Sequence, residues 1–220
     1  MKRDSPIIDS LLEVMAKLRS PEGCPWDREQ DHMSLRWHAV EEVYELLDAI
    51  ETRDDQEMQE ELGDVLLQVV FHCQLASERG AFNFDDVAAH ITAKLIRRHP
   101  HVFGDTKVKN VDEVWKNWEA IKRDEKRGTR HARPSVLDGI PKHLPALMRA
   151  VTLIKKAKRG KLIKQPTARR MTPSQLGRQL FELAALAQNN KWSAEDLLRK
   201  EIAREEKRLR KTEWLQSSPA

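Results

Sequence analysis

Cysteine is nearly absent from this chain: of 220 residues only Cys24 and Cys73 carry a thiol. Two thiols cannot build the disulfide framework that holds small secreted domains together. Aromatic residues amount to 5%, with one tyrosine, and there are eight glycines. Strands favour aromatic and β-branched side chains, so this balance argues against a sandwich or a barrel. No apolar run approaches the roughly 20 residues that span a bilayer. The start, Met1-Lys2-Arg3-Asp4, leads into an amphipathic stretch and not into the apolar core of a signal peptide. The expectation is a soluble, cytoplasmic protein without a membrane partner.

What the chain has is helix-forming residues and charge. Leu, Ala, Glu, Lys and Arg dominate, hydrophobic residues reach 40%, and charged residues reach 34% against roughly 25% in an ordinary globular protein. The length suits one large or two small domains, and the fold class expected is all-α. The net charge of +4 conceals a polarity. Residues 1–120 hold 14 Lys/Arg against 25 Asp/Glu, and residues 121–220 hold 25 against 10. An acidic half suits metal ions and a basic half suits polyanions.

Periodicity places the helices. Ser5-Pro6 reads as a cap and first turn for a helix carrying Ile7, Ile8, Leu11, Leu12, Met15 and Leu18. Ser20 to Asp27, with two prolines and a glycine, reads as a fixed loop. A second helix is predicted over about 34–51 and a third over about 56–78, joined by a short polar turn. A fourth, capped by Asn83 or Asp85, ends at His99-Pro100, and another covers 111–127. Residues 128–149, with Pro134, Pro141 and Pro145, read as a connector. A helix over about 150–170 is expected to run into a mobile basic segment, with further helical pattern after Pro173 and from Ala194 to Trp214. From Gly139 to Phe181 there are eleven Lys/Arg and no acid.

The last segments resemble a worn copy of the first half. Glu61-Leu62-Gly63-Asp64-Val65-Leu66-Leu67 aligns with Gln175-Leu176-Gly177-Arg178-Gln179-Leu180-Phe181, and Phe82, Asp85, Asp86 and Val87 align with Trp192, Glu195, Asp196 and Leu197. The expected division is a helical bundle over 1–127, the connector, and a degenerate, basic second repeat over 150–220. In that copy both acids are lost, Glu61 to Gln175 and Asp64 to Arg178.

The third helix is apolar around nearly its whole circumference, through Leu62, Val65, Leu66, Leu67, Val69, Val70, Phe71 and Leu75, and is expected to be largely buried. One polar line crosses it: Glu61, Asp64, Gln68 and His72, at steps of three and four that share a face. The second helix carries Glu41, Glu42, Glu45 and Asp48. A short turn makes the two helices antiparallel neighbours, so the acidic lines can face each other. Inward carboxylates repel, so either the face is solvated or bound cations balance it. Oxygen ligands without a Cys–His cluster favour Mg²⁺ or Mn²⁺ over zinc; His72 and Cys73 read as core or supporting residues. Lys94, Arg97 and Arg98, at i, i+3 and i+4, form one basic face at the end of the fourth helix, either a solvated turn or a phosphate contact.

Glu41-Glu42-Val43-Tyr44-Glu45 followed by Glu61-Leu62-Gly63-Asp64 resembles the EExxE…ExxD pattern of the MazG family of nucleoside triphosphate pyrophosphohydrolases. Cys24-Pro25-Trp26-Asp27-Arg28-Glu29-Gln30 and the stretch from Lys94 to Asp105 are similar to that family too, and the likeness runs over roughly residues 5–150. It implies an antiparallel bundle of the all-α NTP pyrophosphatase type, usually homodimeric, and Mg²⁺-dependent cleavage of a nucleoside triphosphate to the monophosphate and pyrophosphate. By that pattern Glu41, Glu42, Glu45, Glu61 and Asp64 are metal ligands, and Glu42 or Glu45 orients the attacking water. Lys94, Arg97 and Arg98 meet the triphosphate, and Trp118 with Lys122 is a base-stacking and phosphate pair, against the alternative of a core tryptophan. The second repeat lacks the acids, so the first must do the work. The competing expectation is a non-catalytic, nucleotide-binding regulatory dimer. Nucleic-acid binding by the basic run from Lys155 to Arg170 is a remote third, since that run lacks aromatics.

Overall fold

The protein is described by a computed structural model for residues 7–129, 132–163 and 171–217. The expected Ser5-Pro6 cap and the basic stretch from Lys164 to Arg170 lie outside the described residues. Ten helices follow one another without a strand among the described residues, as the composition leads one to expect. They are α1 (Ile7–Leu18), α2 (Pro25–Glu29), α3 (His38–Thr52), α4 (Asp55–Glu78), α5 (Phe84–Arg98), α6 (Pro100–Phe103), α7 (Val111–Asp124), α8 (Ala146–Arg159), α9 (Pro173–Asn189) and α10 (Ala194–Ser217). Among the described residues no helix is long and apolar enough to cross a membrane. The chain forms two compact units that divide between Trp115 and Lys116.

In the first unit α4 is the central helix. Asp54 starts it, its carboxylate accepting from Gln56 N and Glu57 N. Arg53, at φ 59°, ends α3 in the left-handed region and reverses the chain within two residues. α3 and α1 both pack against α4. The core gathers Met15, Leu35, Val70, Phe71 and Leu75, with Leu11, Leu12, Leu67 and Phe84 around it. Asn83 caps α5 in a reciprocal box with Asp86.

The segment between α1 and α3 is held by polar contacts to α4. Gly23 is required there, because a Cβ would sit 2.1 Å from the Leu18 carbonyl oxygen. The predicted loop contains one helical turn, α2, opened by Pro25 at its first position. Arg19 grips Glu78 through two hydrogen bonds of 2.6 and 2.7 Å, donates to the carbonyls of Asp27 and Gln30, and lies 5.6 Å above the Phe71 ring. α3 begins at His38, four residues later than predicted. Asp31 instead accepts from Met33 N and Ser34 N, both at 2.7 Å, in a turn that buries Leu35. Those two N–H groups hold the Asp31 carboxyl below its ordinary range.

One expectation for α4 is corrected. Its buried residues are Gln68, Val70, Phe71, Cys73, Leu75 and Ala76, all in its second half. Leu62, Leu66 and Val69 are exposed, at 52%, 37% and 39%. On α3 only Ala49 is buried, while Val40, Val43, Leu47 and Ile50 lie open. Helical spacing identifies an apolar stripe but not what covers it.

In the second unit α8 packs on α10, and α9 also packs on α10. The core is Leu137, Ala146, Leu153, Ala157, Leu162, Ile202 and Leu209. Leu137 and Ala146 come from the stretch that the sequence presents as a connector. Glu195 accepts from Ala146 N at 2.9 Å, at the start of α8. Arg210 links Asp138 and Glu206, both at 2.8 Å, and Arg149 reaches Glu206 at 3.0 Å. Gln175, aligned with Glu61, serves in a capping box with Thr172 at the start of α9.

His32 and His72 join the loop before α3 to α4. Arg79 can only donate, and its Nη2 lies 3.4 Å from His32 Nε2. His32 therefore carries its proton on Nδ1 and donates it to His72 Nδ1 at 2.8 Å. Protonating either ring breaks a link of this chain. Burial first, and the neighbouring His32 second, hold the His72 pKa below 6.5. A depressed histidine stabilises the fold above the unfolded-state value, and that contribution is lost as pH falls below it through the folded value. Lowering the pH from 7 to 5 is therefore expected to cost the unaltered chain more in urea midpoint than it costs H72Q, the difference between the two being the His72 contribution. Arg19→Ala should cost about 2 kcal/mol in the same measurement, the scale of charged hydrogen bonds.

Candidate active site

The acidic surface of the first unit lies where α3 and α4 run side by side. Glu42 and Glu45, at i and i+3, share a face of α3, and Glu61 and Asp64 share a face of α4. Carboxylate oxygens of Glu42, Glu45 and Glu61 lie within 4.8 Å of one another. Asp64 is half-buried beside them, close enough for its charge to act on both Glu42 and Glu61. Three of the five carboxylates expected as ligands therefore converge, with Asp64 near enough for its charge to be felt. Glu41 stands outside this group: its side chain is exposed and its Oε2 lies 3.6 Å from His38 Nδ1.

The Glu42 carboxyl is pushed up by burial first, then by Asp64 and Glu45; a hydrogen bond from Gln68 works the other way. Glu61 is raised by burial, then by Glu45, Asp64, Glu60 and Glu42. Its Oε2 is buried without a hydrogen-bond partner among the described residues. An oxygen-only donor set with an orphaned carboxylate oxygen fits a hard divalent cation such as Mg²⁺ or Mn²⁺.

The other expected residues divide between the two units. Arg97, exposed, and Arg98, only 7% exposed, occupy the last turn of α5 in the first unit, with half-buried Lys94 one turn before Arg98. His99 follows them and its Nδ1 donates to the Leu95 carbonyl at 2.7 Å. Trp118 and Lys122 belong to the second unit, both half-buried, with Lys122 Nζ 3.4 Å from Glu119. His72 and Cys73 support the fold as expected: His72 bonds His32, and Cys73 is a buried free thiol. Gln68 was legible only as one member of the polar line; the structure makes it the contact between α4 and Glu42, its Nε2 donating to Glu42 Oε1 at 3.3 Å. His32 left no signal in the sequence, because its partner is forty residues away.

Residues 30–103, which hold the α3–α4 pair and α5, match the family described as MazG nucleotide pyrophosphohydrolase domain. The chain is 50% identical over 150 residues to the nucleoside triphosphate pyrophosphohydrolase of Escherichia coli strain K12, covering 68% of this chain and 56% of that protein. It is 49% identical over 150 residues to the nucleoside triphosphate pyrophosphohydrolase/pyrophosphatase MazG of Thermotoga maritima, with the same coverage. The chain thus spans little more than half the length of these relatives. An uncharacterised 26.1 kDa protein of Streptomyces cacaoi is 40% identical over 191 residues, covering 86% of this chain and 75% of that one. With its acidic pattern folded into one cluster inside the matched region, the chain belongs to the MazG family.

Proposed function

We propose that this chain is a cytoplasmic, Mg²⁺- or Mn²⁺-dependent nucleoside triphosphate pyrophosphohydrolase that works as a homodimer through its first unit. The observation that carries this reading is the convergence of Glu42, Glu45 and Glu61, with Asp64 beside them, inside the matched region. The names of the E. coli and T. maritima relatives support the reaction. Two free cysteines suit a reducing compartment.

In this reading Glu42, Glu45, Glu61 and Asp64 hold the cation, which when bound offsets their charge and that of the triphosphate and acidifies water. Glu42 and Glu45 are the carboxylates able to take the proton of a water attacking the α-phosphorus. The bond between that phosphorus and the bridging oxygen breaks, leaving a nucleoside monophosphate and pyrophosphate. Lys94 and Arg97 supply positive charge for the phosphates, and buried Arg98 braces that turn.

The exposed stripes suit the homodimer. Val40, Val43, Leu47 and Ile50 repeat at helical spacing on α3, as Leu62, Leu66 and Val69 do on α4. Each is an exposed apolar stripe of the kind that marks an interaction site. Leu47→Glu is expected to give a monomer in sedimentation equilibrium; an unchanged dimer would remove the α3 stripe from the reading.

Turnover is tested with an NTP and dNTP panel and Mg²⁺, assaying monophosphate and pyrophosphate. E61Q and D64N should lower kcat/KM at least about a hundredfold, the scale of losing one charge-stabilising or proton-accepting group. Tight nucleotide binding without product after long incubation would favour a regulatory dimer. Stability moves the other way. A carboxylate raised in the folded state stabilises below its unfolded value, near 4.5, and that contribution is lost as pH rises through the folded value. At pH 7 the cluster therefore weakens the metal-free fold. In EDTA, E61Q should melt higher than the unaltered chain, and added Mg²⁺ should raise the midpoint of the unaltered chain only.

A further inference from the structure

Gln68 is a buried amide, 8% exposed, one helical turn beyond Asp64 on the polar line of α4. A carboxylate offers only lone pairs, so the arm turned toward Glu42 must be the N–H. That arm donates to Glu42 Oε1 at 3.3 Å. The contact fixes the amide, and its other arm, Oε1, is buried with no donor from the described residues. Buried polar atoms are satisfied as a rule, so an open acceptor at this place calls for an explanation. A methionine would fill nearly the same volume with no open acceptor. What glutamine adds here is hydrogen bonding.

Glu42 also needs help to stay where it is. Asp64 and Glu45 both repel its carboxylate, and Gln68 supplies an attractive contact from the facing helix. A lysine at this position would cancel the negative charge that recruits a cation, and a further acid would add to the repulsion. A neutral donor orders Glu42 and leaves the charge of the cluster as it is.

We propose that Gln68 is a positioning residue of the active site. Its N–H holds the Glu42 carboxylate in the arrangement that joins Glu45 and Glu61, and its free Oε1 is the acceptor for a water held in the cluster. This rests on the metal reading above. Partners that orient metal ligands typically contribute ten- to a hundredfold to metal affinity or activity.

The test uses the full chain, stripped of metal, with MgCl₂ titrated in a calorimeter and turnover measured alongside. Q68M should keep its urea midpoint, bind Mg²⁺ at least about tenfold more weakly and lose kcat with little change in KM for the nucleotide. Q68N keeps the amide but draws it back by one methylene, and should change Mg²⁺ affinity in the same direction even if Q68M does not fold. In an E42Q background, Q68M should add only part of its loss, because the hold on Glu42 is already altered there and only the contact at Oε1 remains to be removed. Q74M alters an amide on the same helix that donates to Glu78, and should leave Mg²⁺ affinity unchanged. Wild-type Mg²⁺ affinity in Q68M and Q68N, or losses that add in full on E42Q, would overturn the proposal. If E61Q itself binds Mg²⁺ normally, the metal reading fails and takes this proposal with it. If E61Q loses Mg²⁺ and Q68M keeps it, only the role of Gln68 falls.

Discussion

Carboxylates that share a half-buried space repel one another, and a fold that brings them together must be held by something else. In the first unit that crowding is the constraint from which the rest follows. α3 contributes one fully buried residue, Ala49, and it is the close run of α3 along α4 that holds Glu42 and Glu45 against Glu61 and Asp64. Further restraint comes from either end: from the two-residue reversal at Arg53 and Asp54, and from the loop before α3, anchored by buried Leu35 and by the His32–His72 contact. α3 is packed along α4 and pinned at both ends, with its charged residues along the span.

α4 separates the two demands along its length. Its second half, from Gln68 to Ala76, carries every one of its buried residues, and Glu78 beyond them takes the Arg19 grip. Its first half carries Glu61, Asp64 and the exposed Leu62 and Leu66. Stability is concentrated at one end of the helix and charge at the other, so the cost of the carboxylates falls on a segment that the core does not need. Gln68 stands at the junction, where a neutral amide can face both.

The sequence carried those features that depend on local spacing. The Asn83 cap, the Arg53–Asp54 turn and the ends of α4 all follow from residue type within one turn of helix. α2 and α6, of five and four residues, offer no period to count, and each is opened by a proline that reads equally well as a loop. The first turn of α3 was misplaced because Asp31 competes for the N–H groups that a helix would use. The ligand pattern fixed which carboxylates share a face, but Glu41 and Glu42 are adjacent, and only the crossing of α3 with α4 decides that Glu42 turns inward. Contacts across long separations, Arg19 with Glu78 and His32 with His72, leave no periodic trace at all.

The second unit is helical as well, but its side chains at the compared positions are used differently. On the sequence correspondence Gln175 stands where Glu61 does, yet Glu61 lies in the second turn of α4 whereas Gln175 lies in the first turn of α9. A first-turn position is one where a side chain is drawn back to the free N–H groups of the helix start, and Gln175 is used in that way. α8 packs on α10, and Glu195 and Glu206, the acids between them, are engaged by Ala146 N and by Arg149 and Arg210. Every one of those carboxylates meets a protein donor, whereas Glu61 leaves an oxygen without one. The contrast between satisfied and unsatisfied acids, more than the net charge of either half, separates the two units.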